Sequence, residues 1–123
     1  MKILIVDDEK YSGEELGETV EFLGHNPIVA LSADEALSIL RSDDNINLVI
    51  ADLKMPHKSG QELIEETRNT INRNVKFIVM SGHGGGNTSD NEFLEALPNV
   101  IAFFQKPVSF QKVAQILEEH PDF

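Results

Sequence analysis

Asp7, Asp8, Asp52, Ser81 and Lys106 each stand at or just behind the end of a short apolar run. Three carboxylates brought together repel one another and raise at least one pKa unless a cation intervenes. A hard divalent cation meets that need, and Mg²⁺ takes about six oxygen ligands, typically one or two carboxylates with waters and a phosphate oxygen. Lys106 adds positive charge on a flexible stem, suited to a phosphoryl or carboxylate oxygen. Ser81 adds a hydroxyl that can donate to a phosphoryl oxygen. Such a set suits holding a phosphoryl group beside a metal, with a carboxylate as nucleophile. Singly, each residue has an ordinary reading: an acidic pair favours the start of a helix, and a lysine before proline sits in a turn. Their joint placement carries the signal.

For these side chains to meet, the elements must deliver their ends to one edge. The apolar runs cover residues 3–6, 28–31, 48–51, 77–80 and 100–104, rich in branched residues and without strict alternation. Strands buried on both faces of a parallel sheet have that pattern. Between them lie helical stripes: Leu16, Val20 and Leu23; Ala33, Ala36, Leu37 and Leu40; Leu63, Ile64, Thr67 and Ile71; Phe110, Val113, Ala114 and Leu117. Ser32-x-x-Glu35, Ser59-x-x-Glu62, Ser89-x-x-Glu92 and Ser12-x-x-Glu15 match the capping box, the last of them falling about a turn late. A fourth helix over roughly 90–97 has the weakest pattern, with a Gly-rich loop before it and Pro98 after it. Strand–helix alternation of this kind predicts an α/β fold, a doubly wound three-layer sandwich with a five-stranded parallel sheet and right-handed crossovers. Ligands of such sheets sit at the carboxyl ends of the strands.

The 123 residues suit one domain, 1–123, since two would each bury too little core. A net charge of -11 argues against nucleic-acid phosphates and against an anionic membrane surface as partners. The absence of cysteine excludes disulfides, thiolate zinc sites and cysteine nucleophiles. No apolar run approaches the ~18 residues of a membrane span, and the short apolar start ending in Asp7-Asp8 is not a secretory signal, so a cytoplasmic location is expected.

Val6-Asp7-Asp8-Glu9, Asp52-Leu53-Lys54-Met55-Pro56 with Gly60, Met80-Ser81-Gly82 and Lys106-Pro107 together resemble the receiver domain of two-component response regulators, over nearly the whole chain. The resemblance implies a flavodoxin-like (βα)5 fold with strand order 2-1-3-4-5, as in chemotaxis receivers. It implies that Asp52 is the phosphoacceptor. Asp8 and Asp52 would bind Mg²⁺ with the Lys54 backbone carbonyl, and Asp7 would act mainly through water. Ser81 would hydrogen-bond the phosphoryl group, Lys106 would pair with Asp52 or its phosphate, and Phe103 matches the switch aromatic. The Lys106–Pro107 bond would be cis. Lys54 and His83 occupy positions that tune the lifetime of the aspartyl phosphate. The implied donor is a sensor histidine kinase or a histidine phosphotransfer protein, and the implied output is a downstream protein bound by the face of the fourth and fifth helices and the fifth strand. The chain would catalyse only its own phosphorylation and dephosphorylation and would not act as an enzyme on other substrates.

Some features depart from the family pattern. The stretch from Ser81 to Lys106 is longer than usual, Gly82-His83-Gly84-Gly85-Gly86 is atypical, and Leu97-Pro98-Asn99 replaces a Gly-Ala pair before the fifth strand. All lie on or beside the output face. With no output domain after the fifth helix, a single-domain regulator or phosphorelay intermediate is expected; the alternative is a docking module independent of phosphorylation. A P-loop, a nucleophile elbow, a second aspartate of the Asp-x-Asp phosphatases and metal-ligand histidine spacing are all missing. The Gly-rich segment is read as a flexible loop, and Tyr11 and the phenylalanines as core and interface residues.

Overall fold

The computed structural model describes residues 1–82 and 99–119. The apolar runs become β1 (Lys2–Val6), β2 (Asn26–Ala30), β3 (Ile46–Asp52), β4 (Lys76–Ser81) and β5 (Val100–Gln105). They form one parallel sheet in the order β2-β1-β3-β4-β5, the doubly wound topology expected. The described helices are α1 (Lys10–Phe22), α2 (Ala33–Ser42), α3 (Gly60–Thr70) and α4 (Phe110–Glu119). The helix expected over 90–97, its capping box at Ser89, and His83 with the glycines behind it lie outside the described residues.

Alternation along the strands divides the apolar side chains into two layers. Leu4, Val6, Val49, Ala51, Phe77 and Val79 pack with Ala36, Leu37 and Leu40 of α2 and Leu63 and Ile64 of α3. Ile3, Ile5, Leu48, Ile50, Ile78 and Met80 pack with Leu16 and Val20 of α1 and Val113 and Leu117 of α4. Both faces of the central strands are therefore covered, which is why those strands read as continuous apolar runs.

Helix starts follow local chemistry. Ser59 makes a complete capping box: its Oγ accepts from the Glu62 N–H at 3.2 Å, and Glu62 Oε1 accepts from the Ser59 N–H at 3.5 Å. Ser32 Oγ accepts from the Glu35 N–H at 3.1 Å, while Glu35 reaches back to the Leu31 N–H. α1 corrects the expectation at Ser12: it begins at Lys10, with Glu9 as N-cap and no side-chain cap bond. β2 begins at Asn26 and runs through Pro27, two residues before the apolar run expected at 28–31. Because β2 is the edge strand, the missing N–H of Pro27 leaves no interior ladder bond unmade. Phe110 is exposed although it heads the α4 stripe, and it meets exposed Phe22 edge-on at 5.5 Å. Tyr11, 85% exposed, is likewise outside the core.

Candidate functional site

Parallel pairing brings the ends of β1, β3, β4 and β5 to one edge of the sheet. Asp7 follows β1 and is 1% exposed; Asp52 closes β3 and is 7% exposed. Lys106 follows β5 and bridges them, its Nζ donating to Asp7 Oδ2 at 2.8 Å and to Asp52 Oδ2 at 2.8 Å. Backbone amides hold the other carboxylate oxygens: the Glu9 N–H donates to Asp7 Oδ1 at 2.9 Å, and the Lys54 N–H to Asp52 Oδ1 at 3.2 Å. Exposed Asp8 completes a triad whose carboxylate oxygens lie within 4.8 Å of one another.

Burial acts to lower the pKa of Lys106, but the hydrogen bonds it donates to Asp52 and Asp7, with their negative charge, outweigh it and hold the ammonium above the ordinary lysine value. Removing a carboxylate from water costs several kcal/mol of solvation, so the ammonium and the amides are what make two buried aspartates tolerable. Three carboxylates against one ammonium still leave the cluster short of positive charge. Its donor set is all oxygen, with one member open to solvent, which suits a hard cation such as Mg²⁺.

Ser81 ends β4, is buried, and stands in register with Gln105. Its carbonyl accepts from the Lys106 N–H at 2.7 Å, joining the serine and the lysine through the main chain. The Lys106–Pro107 bond is cis. Phe103 lies opposite Val79, partly buried against the α2–α3 layer. Exposed Lys54 stands two residues after Asp52.

The loop between Asp52 and α3 is held by two main-chain hydrogen bonds. The Leu53 N–H donates to the Met80 carbonyl at 2.9 Å, and the Gly60 N–H to the Leu53 carbonyl at 2.9 Å. A Cβ at Gly60 would collide with the Asp52 carbonyl oxygen, so only glycine lets α3 start so close to the aspartate. His57 adopts a left-handed conformation, φ 69°, unusual for a residue with a side chain. Lys58, not singled out in the sequence, reaches Glu66 Oε1 at 2.9 Å and Asp34 Oδ1 at 3.1 Å, and these hydrogen bonds raise its pKa, Glu66 contributing most. Its loop is thereby tied to both α3 and α2. The Asp7–Lys106 bond is a second contact that sequence did not specify, because nothing local records a pairing across 99 positions.

Known proteins resemble this chain in sequence and fold. The profile of the response regulator receiver domain matches residues 3–118. The transcriptional regulatory protein CpxR of Klebsiella pneumoniae is 35% identical over 81 residues, covering 66% of this chain and 34% of its own length. The chain thus spans about a third of that relative's length. A chemotaxis protein CheY homolog of Campylobacter jejuni is 28% identical over 120 residues, covering 97% of this chain and 91% of that protein. Among solved structures, a response regulator receiver protein from Pseudomonas putida superposes with a TM-score of 0.88 at 29% identity, covering 96% of this chain and 95% of that one.

Proposed function

The chain belongs to the response regulator receiver family of two-component signalling, and on that premise we propose that it accepts a phosphoryl group from a phosphohistidine onto Asp52. The observation that carries the reading is the buried Asp7–Lys106–Asp52 bridge, with Lys106 Nζ at 2.8 Å from each carboxylate and Asp8 beside them.

Asp52 Oδ attacks phosphorus in line; the new P–O bond forms as the P–N bond to the donor imidazole breaks, its electron pair staying on the ring nitrogen. Lys106 then turns its ammonium from the carboxylate to the phosphoryl oxygens, where charge is spread in the transition state. Asp7 holds the lysine in place while that happens. Asp8 and Asp52, with the Lys54 backbone carbonyl and Asp7 through water, would hold Mg²⁺, which when bound neutralises charge on the transferring group. Ser81 would donate to a phosphoryl oxygen from the end of β4, and Phe103 would turn inward behind it. Over 1–123 the chain acts as one receiver unit, its donor a sensor histidine kinase or a histidine phosphotransfer protein and its readout a protein-binding face. An acidic surface favours a protein target over nucleic acid.

Acetyl phosphate with Mg²⁺, followed by intact mass measurement, tests the assignment. The parent chain gains one phosphate and Asp52→Asn gains none; an unmodified parent, or a variant modified equally, overturns it. Addition of beryllofluoride should shift the resonances of Ser81 and Phe103, and their staying fixed would remove both from the switch.

A further inference from the structure

Between Asp52 and α3 the chain makes one turn that local preference does not favour. The Lys58 N–H donates to the Pro56 carbonyl at 2.8 Å, closing a three-residue ring about His57, whose φ is 69°. A bond of that span about a central residue at positive φ is a γ-turn of the rare, strained kind. Such conformations persist only where the surrounding structure over-determines them, and they gather at ligand clamps and switch regions.

The chain on either side of the turn is anchored. Upstream, Leu53 and Met55 pack against the α2–α3 layer, and the Lys54 N–H donates to Asp52 Oδ1 at 3.2 Å. Downstream, Ser59 caps α3, and the Gly60 N–H returns to the Leu53 carbonyl. Pro56 and His57 are exposed, whereas Lys58 is half-buried. Its Nζ donates to Glu66 Oε1 at 2.9 Å and lies 3.1 Å from Asp34 Oδ1. Glu66 belongs to α3 and Asp34 to α2, so one ammonium fastens the strained turn to both helices. The Glu66 arm is the stronger, being shorter and ending on a carboxylate 34% exposed against 74% for Asp34.

We propose that Lys58 is a positioning residue for the phosphoacceptor: its two ion pairs hold the turn at His57 and, through it, keep the Lys54 main chain against Asp52. Released from the ammonium, the turn relaxes toward negative φ, the segment behind it shifts, and Asp52 Oδ1 loses the amide that fixes its direction. Small misplacements beside a reacting atom slow a reaction out of proportion to their size. The consequence for phosphoryl transfer rests on the reading of Asp52 as acceptor; the consequence for the loop does not. Partly exposed ion pairs add little to global stability, so the role of Lys58 is read locally.

The parent chain, Lys58→Met and Lys58→Arg are compared by amide hydrogen exchange, urea unfolding and the initial rate of labelling by acetyl phosphate with Mg²⁺. Methionine keeps the apolar stem and removes the charge; arginine can reach both carboxylates. In Lys58→Met, exchange at Lys54 and Gly60 should quicken about fivefold or more while Ile64, inside α3, keeps its rate. Labelling should slow by about threefold or more, and the urea midpoint should stay close to that of the parent. Lys58→Arg should restore both exchange and labelling. Unchanged exchange at Lys54 and Gly60 in Lys58→Met overturns the proposal. So does a defect that Lys58→Arg does not repair, or one shared equally by Ile64, which marks loss of the fold rather than of the turn. Should the parent itself stay unlabelled, the acceptor reading falls, while exchange at Lys54 and Gly60 still upholds or overturns the role of Lys58.

Discussion

The two edges of the sheet solve opposite electrostatic problems. At the carboxyl edge, two buried aspartates share one ammonium, and a third aspartate stands in solvent beside them. At the amino edge, Arg68, Arg73 and Lys76 border a cavity whose lining holds no carboxylate, and Arg73 is held by carbonyl oxygens of the Asp43–Ile46 turn. Parallel pairing accounts for the division, because every strand contributes its last residue to one edge and its first to the other. Net charge of -11 therefore describes neither edge. What distinguishes them is the partner set: shared between two buried carboxylates at the carboxyl edge, and for Arg73 chiefly main-chain carbonyls, with an exposed carboxylate beside them, at the amino edge.

Removing the shared partner is the strongest way to break that contrast. Lys106→Met leaves two buried carboxylates uncompensated and should cost about 3–5 kcal/mol in urea unfolding, as breaking a buried pair does. Mg²⁺ should recover part of that loss, and so should Asp7→Asn in the double variant; a cost under ~1 kcal/mol would show that the bridge is not what makes the aspartates tolerable. Gly60→Ala comes next. Its Cβ meets main chain on two sides, at Asp52 and Leu53, so the backbone has to shift; a loss of about 2–3 kcal/mol is expected, with slower phosphorylation in the acetyl phosphate assay. At the other edge, Arg73→Met removes charge-assisted bonds to two carbonyls and should cost about 2 kcal/mol, leaving phosphorylation of Asp52 unchanged. A change in both readouts would mean that the edges are coupled.

The smallest effect is alkaline. The folded pKa of Lys106 lies above its unfolded value, so its contribution is complete below the ordinary lysine range and is lost as pH rises through the raised value. In that alkaline range the urea midpoint of the parent chain should fall, and this step should be missing in Lys106→Met.

Sequence discloses the carboxyl edge better than the amino edge, for a physical reason. Asp7, Asp52 and Ser81 directly follow apolar runs and Lys106 comes two residues after one, so naming the strands names the site. Ser32 and Ser59 are legible because a cap is a contact between residues three apart. Ser12 misleads because the same spacing occurs inside α1, whose true start at Glu9 has no side-chain cap bond to advertise it. Pro27 conceals the beginning of β2 because proline is tolerated only where a strand has a free edge, and edge position is a property of the whole sheet. Asn99, Lys76 and Arg68 carry no local pattern at all. They become neighbours only when β4 and β5 pair and α3 ends beside them.

The bridge from Lys106 also sets an order of events in chain folding. Its two partners lie 99 and 54 positions earlier, and β5, which presents it, is last in sequence and outermost in the sheet. Contacts that distant close late, after the local strand–helix units have formed. Until β5 docks, the aspartates have no ammonium between them and cannot be buried at low cost. The buried aspartate pair is therefore completed only by the final strand, and a chain that ends before β5 lacks the ammonium that lets Asp7 and Asp52 be buried together.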